Sequence, residues 1–153
     1  MLEILEYADY IGFVDSDDWI ELTMYEKLYS KMQQYHCDAV VCRSFCDYPD
    51  GKSIGNAKGD DSSITSTTAI KDKEQSWCSA VGVGVWNTIY RKSLIIDNQI
   101  FFPEKLTYED NYWESILRLY IKSVYILEEN LYHYCINLGS TIHSVNSLHI
   151  WIV

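Results

Sequence analysis

The stretch Tyr10-Ile11-Gly12-Phe13-Val14-Asp15-Ser16-Asp17-Asp18-Trp19-Ile20 decides how the rest of the chain is read. A short apolar run stops abruptly at four polar residues, which is the pattern of a buried strand delivering its C-terminal end to a site. Two acidic residues one apart at a strand end send their oxygens into one small volume. Hard divalent cations take oxygen ligands, and Mg2+ is commonly held by one or two carboxylates together with substrate phosphates. Taken alone, the D-x-D is more simply a solvated acidic turn in which Asp18 or a neighbour caps the next helix.

Two other metal readings fail on the same residues. An EF-hand loop begun at Asp15 would find its last ligand at Glu26, but Trp19 and Ile20 stand where it needs a ligand and a glycine. A phosphatase of the haloacid-dehalogenase type also opens with a strand and D-x-D. It continues with a small residue and Thr or Val, whereas Asp18-Trp19 follows here.

Downstream, Leu22, Tyr25, Leu28, Tyr29, Met32 and Tyr35 recur at helical spacing, with Glu21, Glu26, Lys27 and Lys31 mostly between them. Ala39 to Cys42 reads as a buried strand, close to continuously apolar. Tyr48 to Thr67 is polar and punctuated by Pro49-Asp50-Gly51, Gly55 and Gly59, so it reads as a loop with room for a short hairpin. Thr68 to Ser76 could hold a short helix. Val81-Gly82-Val83-Gly84-Val85-Trp86 is small and apolar, and its glycines allow close approach of a backbone or ligand. As a phosphate loop it lacks the other glycines and the Lys. Asn87 to Ile96 carries the basic pair Arg91-Lys92. Glu109-Asp110 opens a second amphipathic helix with apolar Tyr112, Trp113, Ile116, Leu117, Tyr120 and Ile121, and acidic residues at a helix start are favoured by the dipole. Val124 to Leu127 and Leu131 to Ile136 read as two short strands.

The bulk composition bounds the function classes. The 153 residues fit a single domain, 1–153, and 48% hydrophobic content belongs to a folded chain. A formal net charge of -10 argues against nucleic acid, whose phosphates are held by Lys and Arg clusters. Such a balance suits a divalent cation better. Five cysteines (Cys37, Cys42, Cys46, Cys78 and Cys135) form no C-x-x-C pair, which is a poor zinc or disulfide pattern and points to a reducing cytoplasm. No basic-plus-apolar leader and no run long enough to span a bilayer is visible.

At this point four stretches together carry a resemblance. The D-x-D segment Tyr10 to Ile20 is similar to that of family 2 glycosyltransferases. Val85-Trp86-Asn87-Thr88-Ile89-Tyr90-Arg91-Lys92-Ser93-Leu94 resembles the family's W-N-K-L-Y-R-x-x-L stretch, with Thr88 where Lys is usual. Phe102-Pro103-Glu104 and Tyr108-Glu109-Asp110-Asn111 resemble its F-P-E and E-D segments. Leu131-Tyr132-His133-Tyr134, followed by Asn137 and Gly139-Ser140-Thr141-Ile142-His143-Ser144, is similar to the closing strand and loop. The Arg often found after that strand is replaced by Cys135-Ile136. Four motifs in order are far more specific than one, and they turn the acidic turn into a site.

The resemblance implies a partial GT-A (Rossmann-like) α/β fold, a mixed sheet flanked by helices. It implies transfer of a sugar from a nucleotide-diphosphate donor to an acceptor hydroxyl, with inversion, assisted by Mg2+ or Mn2+. Asp15 would contact the nucleotide or its ribose, Asp17 would ligate the metal with Asp15 beside it, and Asp18 would complete the nucleotide end. Asp110 would be the general base, with Glu109 orienting the site. Trp86 and Trp113 are candidate acceptor-side surfaces, core packing being an equal account of Trp113. His143 is a further candidate for a metal or phosphate contact, though an exposed loop histidine is the plainer reading.

The family's first half, with its P-V-Y-N-like start and D-D-G-S-like motif, has no counterpart in Met1 to Asp9. The chain therefore reads as the second half of a catalytic domain of the kind used in bacterial polysaccharide biosynthesis. The expected partners are a nucleotide sugar and a carbohydrate or lipid-linked acceptor, in the cytoplasm or peripherally at the inner membrane face. The alternative is a catalytically inactive fragment, acting as a carbohydrate-binding module or as an interaction module that makes a homo-oligomer through an exposed sheet edge.

Overall fold

The computed structural model describes residues 7–65, 85–106 and 109–137. The short helix expected at 68–76, most of the glycine stretch 81–84, Cys78, Tyr108 and the loop carrying His143 lie outside the described residues.

The described chain runs β1 (Tyr10–Gly12), β2 (Trp19–Ile20), α1 (Met24–Tyr35), β3 (Ala39–Asp47), β4 (Ser53–Gly55), β5 (Ser62–Thr65), β6 (Thr88–Arg91), α2 (Lys92–Asp97), α3 (Glu109–Tyr120) and β7 (Ser123–Cys135). The strands form one mixed sheet ordered β1-β6-β3-β7-β2, with β4 added to β3 and β5 to β7. The central pair β3 and β7 is parallel, and the other pairings are antiparallel.

Alternation along the central strands sends side chains to two cores. Ala39 and Val41 of β3, with Val124 and Ile126 of β7, join Trp113, Leu117, Leu94 and Ile95 from α2 and α3 on one face. Val40 and Cys42, with Tyr125 and Leu127, meet Met24, Leu28 and Met32 of α1 on the other. The α1 stripe is thus Met24-Leu28-Met32, all fully buried, while Leu22, Tyr29 and Tyr35 are exposed. The expected helix was right and its face was rotated: the helix begins at Met24, and tyrosines flank the stripe with their rings half in water. Truncating Leu28 to Ala would cost roughly 2–5 kcal/mol.

Two further expectations are corrected and a third is extended. β1 is not a buried strand: it ends the strand order, Gly12 is exposed and Val14 is 45% exposed. The polar stretch 48–67, read as a loop with room for a short hairpin, does supply β4 as the return strand of a hairpin with β3, and adds β5, since edge strands are held by backbone pairing with β3 and β7 and need no apolar alternation. The two strands expected at 124–127 and 131–136 are one 13-residue strand. Its pairing with β3 shifts register around Arg43, from Cys42↔Leu127 to Arg43↔Asn130 and Ser44↔Tyr132. This irregularity is pinned from the side. The Asn130 side-chain oxygen accepts the N–H groups of Asn56 and Ala57 at 3.0 and 2.9 Å, and Glu128 accepts the Lys58 N–H and pairs with Arg43. Gly55 lets that segment close in, because a Cβ there would lie 2.3 Å from the Asn130 amide nitrogen.

Among the described residues no helix is long and apolar enough to cross a membrane.

Candidate functional site

The acidic loop is built by what holds its two ends. At its start the Phe13 ring turns into the core against Tyr90, Phe102 and Trp113, at centroid distances of 6.3, 5.4 and 5.6 Å. Just before it, Gly12 allows Tyr25 to approach so closely that a Cβ would lie 2.5 Å from its ring, and the Tyr25 hydroxyl donates to the Phe13 carbonyl at 3.4 Å. The loop closes as a turn in which the Asp18 N–H donates to the Asp15 carbonyl at 3.2 Å.

The same aromatic floor supports the second acidic motif. Trp113, in the first turns of α3, is 1% exposed, stacks on Phe102 at 5.2 Å and donates its indole N–H to the Ile100 carbonyl at 3.1 Å. It is a core residue, as the second of its two expected roles had it, and its ring faces are occupied by neighbouring side chains. Because Phe13 and Trp113 touch, the loop of Asp15 and the first turn of α3, with Glu109 and Asp110, are brought together. The charges record it. Burial raises the Asp15 carboxyl above the usual range, and the negative charges of Asp18, Asp17, Asp110 and Glu109 add to that rise. Residues some 95 positions apart in sequence thus share one electrostatic volume.

Asp18 does not cap α1. The helix begins after Thr23, which makes no side-chain cap bond. Instead both Asp18 oxygens turn inward to β7: Oδ1 accepts the Cys135 N–H at 2.8 Å and Oδ2 accepts the Tyr132 hydroxyl at 2.8 Å. The Tyr132 oxygen in turn accepts the Asp15 N–H at 3.2 Å. Asp18 still sits above the usual carboxylate range, since burial and the charges of Asp17 and Asp47 outweigh these two bonds. Trp86 is half-buried and stacks over Tyr132 and Tyr134 at 4.3 and 5.8 Å, beside the loop. Asp15 and Asp17 are exposed, Asp110 is half-buried and Glu109 is exposed.

On the opposite face of the end of β7, a second cluster fixes where the loop leaves. His133 is 6% exposed and lies between the rings of Trp19 and Phe45, 3.4 and 4.6 Å away and nearly parallel to both. Its Nδ1 meets Asp47 at 2.9 Å and its Nε2 meets Glu21 at 3.2 Å. Carboxylates accept and do not donate, so each contact is made by whichever ring nitrogen carries a hydrogen. Burial alone would raise Asp47, but hydrogen bonds from Ser53 and His133 prevail and hold it below the usual range. Neither Tyr132 nor His133 was singled out for a site role from sequence. The one available signal was alternation, which sets two polar-tipped rings on opposite faces of one strand.

Could the loop hold Mg2+ or Mn2+? Among the described residues no three Asp, Glu, His or Cys side chains are arranged as a full protein cage. Yet the donors are hard oxygens, and Asp15 carries repulsion from its neighbours that a cation would relieve. Two carboxylates that leave further positions to phosphate and water are what Mg2+ commonly accepts. The residues fit.

Comparison with known proteins bears on the family and the fold. Residues 7–97 match the family model described as Glycosyl transferase family 2. The chain is similar to the putative glycosyltransferase EpsH of Bacillus subtilis (strain 168), 31% identical over 144 residues, which covers 88% of this chain and 40% of that protein. It is also similar to the glycosyltransferase GlyA of Streptococcus pneumoniae serotype 4, 29% identical and covering 87% and 20%. The crystal structure of S. aureus TarS 1-349 in complex with UDP-GlcNAc has a similar fold, with a TM-score of 0.69 at 22% identity, over 92% of this chain and 39% of that one. The chain spans two-fifths or less of the length of these relatives.

Proposed function

The chain belongs to glycosyl transferase family 2, and from that premise we propose that its acidic loop and α3 form part of a metal-assisted, inverting site for a nucleotide-diphosphate sugar. The observation that carries the reading is the Phe13–Trp113 contact, which sets the Asp15 loop beside the first turn of α3 with Glu109 and Asp110. One motif alone is a polar turn, and the two together give a donor end and an acceptor end.

In this reading Asp17, with Asp15 beside it, holds Mg2+ or Mn2+ against the donor diphosphate, and Asp15 also reaches the nucleotide. When bound, the metal supplies charge stabilisation for the departing diphosphate. Asp110 takes the proton from the acceptor hydroxyl, and it must lie within hydrogen-bond reach of that oxygen as the bond forms. Attack on the face opposite the leaving group inverts the anomeric centre. Glu109 orients this end, and Trp86 offers a half-exposed ring for a sugar face. The acceptor is a carbohydrate or a lipid-linked sugar, which would place the protein peripherally at the cytoplasmic side of a membrane.

Hydrolysis of UDP-GlcNAc with Mn2+ tests this, comparing the wild-type chain with Asp17→Ala and Asp110→Ala. Turnover should fall in both variants. Equal turnover in all three would overturn the assigned roles.

One observation favours a second reading. Among the described residues β1 pairs with β6 alone, leaving a sheet edge that could join a second copy or a partner. A monodisperse monomer by light scattering would count against that non-catalytic reading.

A further inference from the structure

We propose that Asp18 is a positioning residue and that Tyr132 is its other half, a clasp from β7 that sets the shape of the loop on which Asp15 and Asp17 stand. The inference rests on the glycosyl-transfer reading for where a metal would sit, and on geometry for everything else.

The D-x-D-D sequence offers three carboxylates, but the fold spends one of them. Asp18 points both oxygens away from the open side of the loop, onto the Cys135 amide and the Tyr132 hydroxyl. Tyr132 is fully buried, and its single oxygen serves two loop residues by donating to Asp18 and accepting from the Asp15 N–H. The ring cannot swing, since Trp86 is stacked on it and it is packed into the α1-side core. The Asp15 carbonyl is held in turn by the Asp18 N–H. The backbone of Asp15 is thereby tied at both its N–H and its C=O, while its carboxylate carries no tie within the clasp. A site needs its ligands held by partners that are themselves locked by packing.

The clasp separates positioning from ligation by the chemistry of an amide. In Asp18→Asn, Oδ1 can still accept the Cys135 N–H, while Nδ2 cannot accept the Tyr132 hydroxyl, so half of the clasp survives. The loop is held less loosely than in Asp18→Ala, where both bonds are lost. A metal ligand would be weakened far more by the same change, because the amide oxygen keeps the position and loses the negative charge that holds a hard cation.

The experiment uses Mn2+ alone, titrated by loss of the free-ion paramagnetic resonance signal, on the full chain and four variants. Asp17→Asn should weaken binding most, on the order of a hundredfold, and Tyr132→Phe by roughly tenfold through loss of a supporting partner. Asp18→Ala should resemble Tyr132→Phe, and Asp18→Asn should lose less than Asp18→Ala. Asp18→Asn falling as far as Asp17→Asn would overturn the proposal, since Asp18 would then be a ligand. Hydrogen exchange over residues 13–19 supplies the metal-free readout: Tyr132→Phe and Asp18→Ala should speed it by roughly tenfold, and Asp18→Asn by less. Unchanged exchange in Tyr132→Phe and Asp18→Ala would overturn the clasp. A wild-type chain that binds no Mn2+ would overturn the metal reading alone, and the exchange result would still decide the clasp.

Discussion

Two groups of carboxylates flank the end of β7 and stand in opposite electrical conditions. On the side of Tyr132, burial and neighbouring acids push Asp15 and Asp18 above the usual carboxylate range. On the side of His133, Asp47 is held below it. Asp61 and Glu128, farther along, behave as Asp47 does. Burial would raise Asp61, but Tyr125, the Glu128 N–H and Lys31 prevail, while Arg43 lowers Glu128 directly. The second group has found its partners inside the fold. The first is raised chiefly by burial and then by mutual repulsion, and this contrast supports the reading of it as a site.

The comparison can be broken most sharply at the acceptor end. With Asp110 as the general base proposed above, Asp110→Asn should lower turnover by about 10²–10⁴ with little change in unfolding midpoint. A comparable loss of stability would make Asp110 structural and dissolve the distinction. On the other side, His133→Ala strips Asp47 and Glu21 of a shared partner. It should cost about 3 kcal/mol in urea-induced unfolding, mainly through loss of the buried ring packed between Trp19 and Phe45.

The acid response sharpens the same contrast. A carboxylate held low contributes stability that is full above its unfolded value, near 4, and disappears as pH falls through the lower folded value. Stability should therefore fall on acidification, and Asp47→Asn should blunt that fall in circular dichroism melts between about pH 5 and 2. A melting profile unchanged by Asp47→Asn would show that this cluster is not what holds the loop exit. For Asp15 the sign reverses: its folded value is raised, so its contribution is full below about 4 and is lost as pH rises through the folded value. Asp15→Asn should thus give a small rise in Tm at neutral pH that vanishes below about pH 4, the smallest effect of the set. A lower Tm at neutral pH would mean that Asp15 is paired and not repelled.

Sequence made parts of this arrangement legible and hid others for physical reasons. The helix over Glu109 to Tyr120 and the helix after Thr23 were readable because a buried stripe repeats every three or four residues. Their faces were less so, because tyrosine is apolar in its ring and polar at its tip, and Tyr29 or Tyr35 fits a margin as well as a core. β4 and β5 carry no stripe at all, being strands by virtue of their neighbours. Glu128-Glu129-Asn130 interrupts the apolar run of β7 and reads as a turn. It is a register shift, because Arg43, Asn56, Ala57 and Lys58 supply partners that no local pattern announces. The acidic motifs themselves were visible through their order along the chain. The clasp was not, since it joins Asp15 and Asp18 to residues 117 positions away.

The register shift in β7 acts as a phase-setter for everything beyond it. Before it, the odd residues Tyr125 and Leu127 face α1. After it, Leu131 still packs there, the even residue Tyr132 joins it, and His133 takes the other side. The parity of the strand is inverted between Leu127 and Tyr132, so the loop clasp and the imidazole cluster owe their sides to the length of this segment and not only to their own identities. Deleting one residue between Glu128 and Asn130 would carry Tyr132 toward Trp19 and His133 toward Asp18, exchanging the two at a stroke. For anyone shortening or grafting this strand, residue count is the more dangerous variable than residue type.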